Sequence, residues 1–137
     1  MATILVASDA AFIRDEVGSA LAGDYEVLFV GGGRDVRPAL ENYNVDLAIL
    51  DMQMGSMGGV AATMDIRLEE GAGRIGHVAV LLLLDRRADV FMARRAGAEG
   101  FLVKPLSPLK LRRAVAALLR DEQYEDAAHT PNPVVAT

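Results

Sequence analysis

No cysteine occurs among the 137 residues, which excludes disulfides and thiolate metal sites and is compatible with a reducing cytoplasm. Long apolar runs are equally scarce. The longest, Val78 to Leu84, has the length of a strand and falls well short of the roughly 18 residues of a membrane span. The N-terminus enters Ile4-Leu5-Val6 with no charged stretch before it, so no signal peptide is expected. An excess of positive charge is missing too. The formal net charge of −5 argues against nucleic acid as the main partner. What remains is a chain that is 52% hydrophobic and able to bury the core of one domain.

The basic residues that do occur are concentrated between Arg86 and Arg120, where only Asp89 and Glu99 oppose them. A solvated helix face explains such a run, and so does a surface for an acidic partner.

In chain order, apolar strands alternate with amphipathic helices. Thr3-Ile4-Leu5-Val6-Ala7 is a strand ending in Ser8-Asp9, two residues able to cap a helix whose inner face is Ile13, Val17, Ala20 and Leu21. Tyr25 to Val30 is a second strand. The Gly31-Gly32-Gly33 turn after it lacks the Lys-Ser/Thr of a phosphate loop. A helix from about Arg34 to Tyr43 leads to Val45 to Leu50, an apolar run that stops at Asp51 before a flexible Gly55-Ser56-Met57-Gly58-Gly59. Helices at Gly59 to Glu70 and Arg86 to Ala96 flank the fourth strand, His77 to Leu84, and Gly97 stops the second of them. Gly100-Phe101-Leu102-Val103 ends in Lys104-Pro105, and Ser107-Pro108 opens a last helix with Leu111, Val115 and Leu118 inward. The expectation is an α/β fold, a (βα)5 doubly wound parallel sheet in the order 2-1-3-4-5, over residues 1–122. Residues 123–137 lose apolar periodicity and are predicted to form a disordered tail.

Three strand ends carry polar groups: Ser8-Asp9, Asp51 and Lys104. A parallel sheet gathers them on one edge, where α/β proteins bind ligands. Two adjacent carboxylates repel unless a cation lies between them, and a hard divalent ion with oxygen ligands suits the pair. Each residue alone has a bland explanation as a cap or an ion pair. Their joint placement is what points to phosphoryl chemistry.

Ile4-Leu5-Val6-Ala7-Ser8-Asp9, Asp51 to Gly59, and Gly97 to Pro105 together resemble the receiver domain of two-component response regulators, over residues 3 to about 121. The resemblance implies a flavodoxin-like, cytoplasmic, chemotaxis-type stand-alone receiver that takes a phosphoryl group from a sensor histidine kinase or phosphotransfer protein. It further implies a phosphorelay component that is not an enzyme beyond its own phosphorylation and dephosphorylation. Asp51 resembles the acceptor, which becomes an acyl phosphate. Asp9, Asp51 and the backbone carbonyl of Gln53 match the Mg2+ positions. Lys104 matches the phosphoryl-binding lysine, with a cis bond to Pro105 implied, and Phe101 the switch aromatic. An output protein is expected on the fourth helix, fifth strand and fifth helix, with Arg87, Phe91, Arg94, Arg95, Lys110 and Arg113 outward. The resemblance leaves room for a homodimer.

Three departures qualify that reading. Ser8 replaces one acid, so Mg2+ binding is expected to be weak. Gly55 replaces a proline. The fourth strand has no hydroxyl at all, and Leu82 or Leu83 stands where the family has Thr or Ser. One phosphoryl hydrogen bond is thereby lost, worth about 1.5–3 kcal/mol, and coupling to Phe101 is expected to be impaired. A receiver-like interaction module whose output needs no phosphate is therefore the alternative. An aspartate-based phosphatase fits poorly, because Gln53 stands where such enzymes have a second Asp.

Overall fold

The computed structural model describes residues 1–126. Its strands are β1 (Thr3–Ala7), β2 (Glu26–Val30), β3 (Leu47–Asp51), β4 (Ala79–Leu84), β5 (Gly100–Val103) and β6 (Tyr124–Glu125). The helices are α1 (Ala11–Leu21), α2 (Val36–Asn42), α3 (Gly59–Gly71), α4 (Val90–Ala96) and α5 (Pro108–Leu119). Short 3-10 turns at Gly33–Asp35 and Arg87–Asp89 lead into α2 and α4, so both helices begin later than their periodicity suggests. The strands form one parallel, flavodoxin-like sheet in the order β2-β1-β3-β4-β5-β6.

The apolar runs of β3 and β4 are buried along their whole length, as befits central parallel strands covered on both faces. Alternation along the strands divides the core in two. Leu5, Leu50, Leu82, Leu84 and Phe101 pack with α2, α3 and α4, through Val36, Ile66 and Val90 among others. Val6, Ile49, Leu83 and Leu102 pack with the inner faces of α1 and α5. Those faces are the ones the spacing predicts, Ile13, Val17, Ala20 and Leu21 in α1 and Leu111, Val115 and Leu118 in α5. Each such leucine contributes about 1.5–3 kcal/mol on burial, which fixes the strand register. Ser107 caps α5 by accepting the Lys110 N–H at 3.4 Å, with Pro108 in the first turn. Gly97, at φ 87°, ends α4.

Two expectations are corrected. Neither Ser8 nor Asp9 caps α1; Ala10 is the cap residue and makes no side-chain bond. Residues 124–125 are not tail but a sixth strand, which pairs Gly100 with Tyr124 and Phe101 with Glu125. Two residues are too few to show a period, so the strand is set by its tertiary partners. The remainder of the predicted tail, residues 127–137, lies outside the described residues.

Candidate functional site at the carboxyl ends of the strands

The sheet ends β1, β3 and β5 on one edge, with β4 between the last two, so Lys104 reaches Asp51 across the end of β4. Asp51 is only 2% exposed. Its Oδ1 accepts from Lys104 Nζ at 2.5 Å, and its Oδ2 accepts from the Ser8 hydroxyl at 2.7 Å. Ser8 also accepts the Ala10 N–H at 3.1 Å. The residue that replaces an acid is therefore a donor to Asp51, holding the carboxylate in place without adding charge.

Asp9 is exposed and lines a cleft of about 530 Å³ with Met52, Gln53, Met54, Gly55 and Gly58. Its Oδ2 accepts the Gly55 N–H at 2.8 Å. A proline at 55 could not donate that bond, so the glycine substitution ties Asp9 to the loop after β3. The oxygen donors that the cleft lining offers are the Asp9 carboxylate and the Gln53 carbonyl, with Asp51 at the end of β3 directly before Met52. That set fits a hard divalent cation, but loosely, with two carboxylates of which Asp51 is already engaged. No group of three or more His, Cys, Asp or Glu side chains is gathered for a metal among the described residues.

The sequence reading missed Asp85. It follows β4 directly, and its Oδ1 accepts from Lys104 Nζ at 2.9 Å, so the ammonium bridges Asp51 and Asp85. Burial disfavours the charge on Lys104, yet the bonds and charges of Asp51 and Asp85 outweigh it and raise its pKa above the ordinary lysine value. The clue was present: Asp85 ends an apolar strand as Asp51 does.

The three proposed switch residues separate. Leu82 is the register partner of Phe101 and shares its side of the sheet. Leu83 pairs with Asp51 and packs on the opposite side with Leu102. A Cβ added at Gly59 would lie 2.8 Å from Leu82 Cδ2 and 2.5 Å from the Asp51 carbonyl, so the lack of a side chain there lets α3 close on the site. Phe101 is 2% exposed.

On the expected docking face, Phe91 is exposed, with the Arg95 guanidinium 5.7 Å from its ring centre. Arg94 and Lys110 are not free there. Arg94 donates to Glu125 at 2.7 and 2.6 Å, and Lys110 to Asp126 at 2.9 Å.

The family model of the response regulator receiver domain matches residues 4–132. The chain belongs to that family. Receiver domains are signalling domains rather than classical enzymes, and they generally bind Mg2+ in their acidic pocket. Among curated relatives, it is 34% identical over 106 residues to the transcriptional regulatory protein PdtaR of Mycobacterium tuberculosis, covering 76% of this chain and 50% of that protein. It is 26% identical to the DNA-binding response regulator MtrA of Mycolicibacterium paratuberculosis, covering 90% of this chain and 54% of the relative. The chain thus spans about half the length of these curated relatives. Among solved structures, Vibrio cholerae chemotaxis protein CheY4 superposes with a TM-score of 0.75 at 26% identity, covering 85% of this chain and 97% of that one. A LuxR-family response regulator from Aurantimonas reaches 0.82 at 22% identity, covering 94% and 92%, and shares the fold. Among the described residues no helix is long and apolar enough to cross a membrane.

Proposed function

We propose that this receiver takes a phosphoryl group from a histidine kinase or phosphotransfer protein onto Asp51. The observation that carries this is Lys104 Nζ at 2.5 Å from a buried Asp51 carboxylate at the strand ends, next in the chain to the cleft lined by Asp9 and Gln53. An Asp51 oxygen attacks phosphorus, the donor's P–N bond breaks, and an acyl phosphate remains on Asp51. Lys104 offsets the charge of the phosphoryl oxygens. Mg2+ held by Asp9, Asp51 and the Gln53 carbonyl would supply further positive charge to those oxygens. The Ser8 hydroxyl orients the attacking carboxylate, and Asp85 competes with the phosphoryl group for Lys104.

Intact-mass measurement after incubation with acetyl phosphate and Mg2+ tests the reading. One phosphoryl adduct is expected on wild type and none on Asp51→Asn. No adduct on either would leave the second reading, a module that works without phosphate. That reading has its own support: Asp51 and Lys104 already satisfy each other with Ser8 and Asp85.

The output step differs from that of a receiver with a fourth-strand hydroxyl. Leu82 has no bond to offer a phosphoryl group, and a ligand shifts an equilibrium only through its differential affinity for the two states. Phe101 is packed beside Leu82 and flanked by β6. A beryllofluoride mimic should therefore shift NMR signals of the loops around Asp51 and Lys104 while α4 and Phe101 stay nearly unchanged. Large shifts from Arg87 to Glu99 would mean that coupling survives by another route.

A further inference from the structure

The sheet has two edges, β2 and β6, and they are finished differently. β6 is two residues long, its Tyr124 N–H donates to the Glu99 carbonyl at 3.1 Å, and it carries Glu125 with Asp126 directly after it. A short, charged strand is one of the ways in which proteins blunt an edge. β2 is five residues long, with no proline and no lysine, and its one charge, Glu26, stands at its start. That carboxylate is drawn toward β1, where it accepts from the Thr3 hydroxyl at 3.3 Å. The outer side of β2 is left unblunted.

The backbone of β2 divides by parity. The Glu26 N–H donates to the Ala2 carbonyl at 2.9 Å, and the Val30 carbonyl accepts from the Ser8 N–H at 3.2 Å. Backbone groups of successive strand residues point to alternate sides, so Glu26, Leu28 and Val30 serve β1. Val27 and Phe29 turn their N–H and C=O groups outward, and among the described residues no strand but β1 pairs with β2. Phe29 is 46% exposed. A Cβ added at Gly18 would lie 3.1 Å from Phe29 Cζ, so the ring rests on α1, to one face of the sheet. It flanks the open edge without covering it.

A second copy of this chain fits that edge by charge as well as by backbone. In an antiparallel pair centred on Phe29, this residue faces itself and exchanges both of its hydrogen bonds with its copy. Val27 then faces Gly31, and Asp24 comes level with Arg34 on both sides of the axis. Asp24 and Arg34 are exposed, and neither has an ion pair among the described residues. Glu26 comes level with Gly32, so no like charges meet.

We propose that the β2 edge is an interface between two copies of this chain, paired antiparallel about a two-fold axis at Phe29 and held in register by reciprocal Asp24–Arg34 contacts. The two-fold axis closes the pair, so association stops at the dimer. The two Phe29 rings meet on the α1 face of the joined sheet and add an aromatic cross-strand contact. A strand pair is a small interface, so the dimer is weak and concentration-dependent. It uses neither Asp51 nor Lys104, and it forms with or without a phosphoryl group.

Sedimentation equilibrium of the full chain over a range of concentrations tests the pairing. Wild type should show a monomer–dimer equilibrium. Phe29→Lys sets two ammonium groups against each other at the axis and should abolish the dimer. Asp24→Arg alone and Arg34→Asp alone each place like charges opposite one another twice, and each should weaken the dimer by about tenfold. Mixed in equal amounts, the two single variants should associate as tightly as wild type, because each then offers the other charges of opposite sign. Circular dichroism checks the fold of each variant, and the exposed charge pair serves if Phe29→Lys does not fold. Wild type that stays monomeric at every concentration would overturn the proposal. So would a dimer that folded Phe29→Lys leaves intact, or charge variants that dimerise like wild type alone or fail to recover on mixing.

Discussion

Two clusters of charge lie at opposite sides of β5, and they are built to different rules. At the strand ends one cation, Lys104, is shared by Asp51 and Asp85, with Asp9 nearby and no ion pair of its own among the described residues. At the edge two cations, Arg94 and Lys110, meet two acids, Glu125 and Asp126. The first cluster is left with excess negative charge around a nearly inaccessible carboxylate. A bound cation would relieve it. The second is balanced and acts as a clasp. Counting ion pairs would rank the two alike; counting unmatched charge separates them.

The largest test of this contrast removes Lys104. Lys104→Met leaves Asp51 buried at 2% exposure without its ammonium. Removing one partner of a buried pair typically costs about 3 kcal/mol or more. Urea denaturation should show a loss near 3 kcal/mol, and adding Asp51→Asn should recover most of it. Mg2+ should stabilise Lys104→Met more than wild type, since it binds the folded state where positive charge is lacking. The protection of the Tyr124 amide should not change. A loss below about 1 kcal/mol would mean that the carboxylate is relieved by water and that the two clusters do not differ in kind.

Much of this was legible before any coordinates. β3 and β4 announce themselves as apolar runs, and the inner faces of α1 and α5 follow helical spacing, because core burial imposes period and length directly. Asp51 and Lys104 were found because each stands where such a run stops. Asp85 has the same position, but one acid after an apolar strand reads equally well as a turn residue until Lys104 reaches it across the end of β4. Ser8 was read as a cap. Only the approach of β3 to β1 gives its hydroxyl a stronger acceptor in Asp51. β6 had no local signal at all. Acids, glutamine and a tyrosine after a helix look like tail until Arg94, Lys110 and Gly100, each distant in sequence, supply the partners.

The smallest effect concerns pH, and it separates the clusters by sign. Lys104 has a raised pKa, so its contribution is complete below the unfolded value of about 10.4 and is lost as pH rises through the folded one. Glu125 is the reverse. Its hydrogen bonds to Arg94 hold it below the ordinary carboxylate range, against a weaker opposing effect of burial. Its contribution is present above the unfolded value of about 4.3 and disappears as pH falls through the depressed folded value. The clasp should therefore loosen in acid while the Lys104 bridge weakens only in strong alkali. Both partners of the clasp are substantially exposed, so solvent and salt screen the change. At pH 7, Tyr124 amide protection in wild type should exceed that in Glu125→Gln by about twofold to fivefold. The two proteins should converge as pH falls through that depressed value, because protonated Glu125 and glutamine are then nearly equivalent at that position. A gap that persists undiminished at acid pH would show that Glu125 holds β6 through its shape, leaving Asp126 as the only charge that fastens the strand.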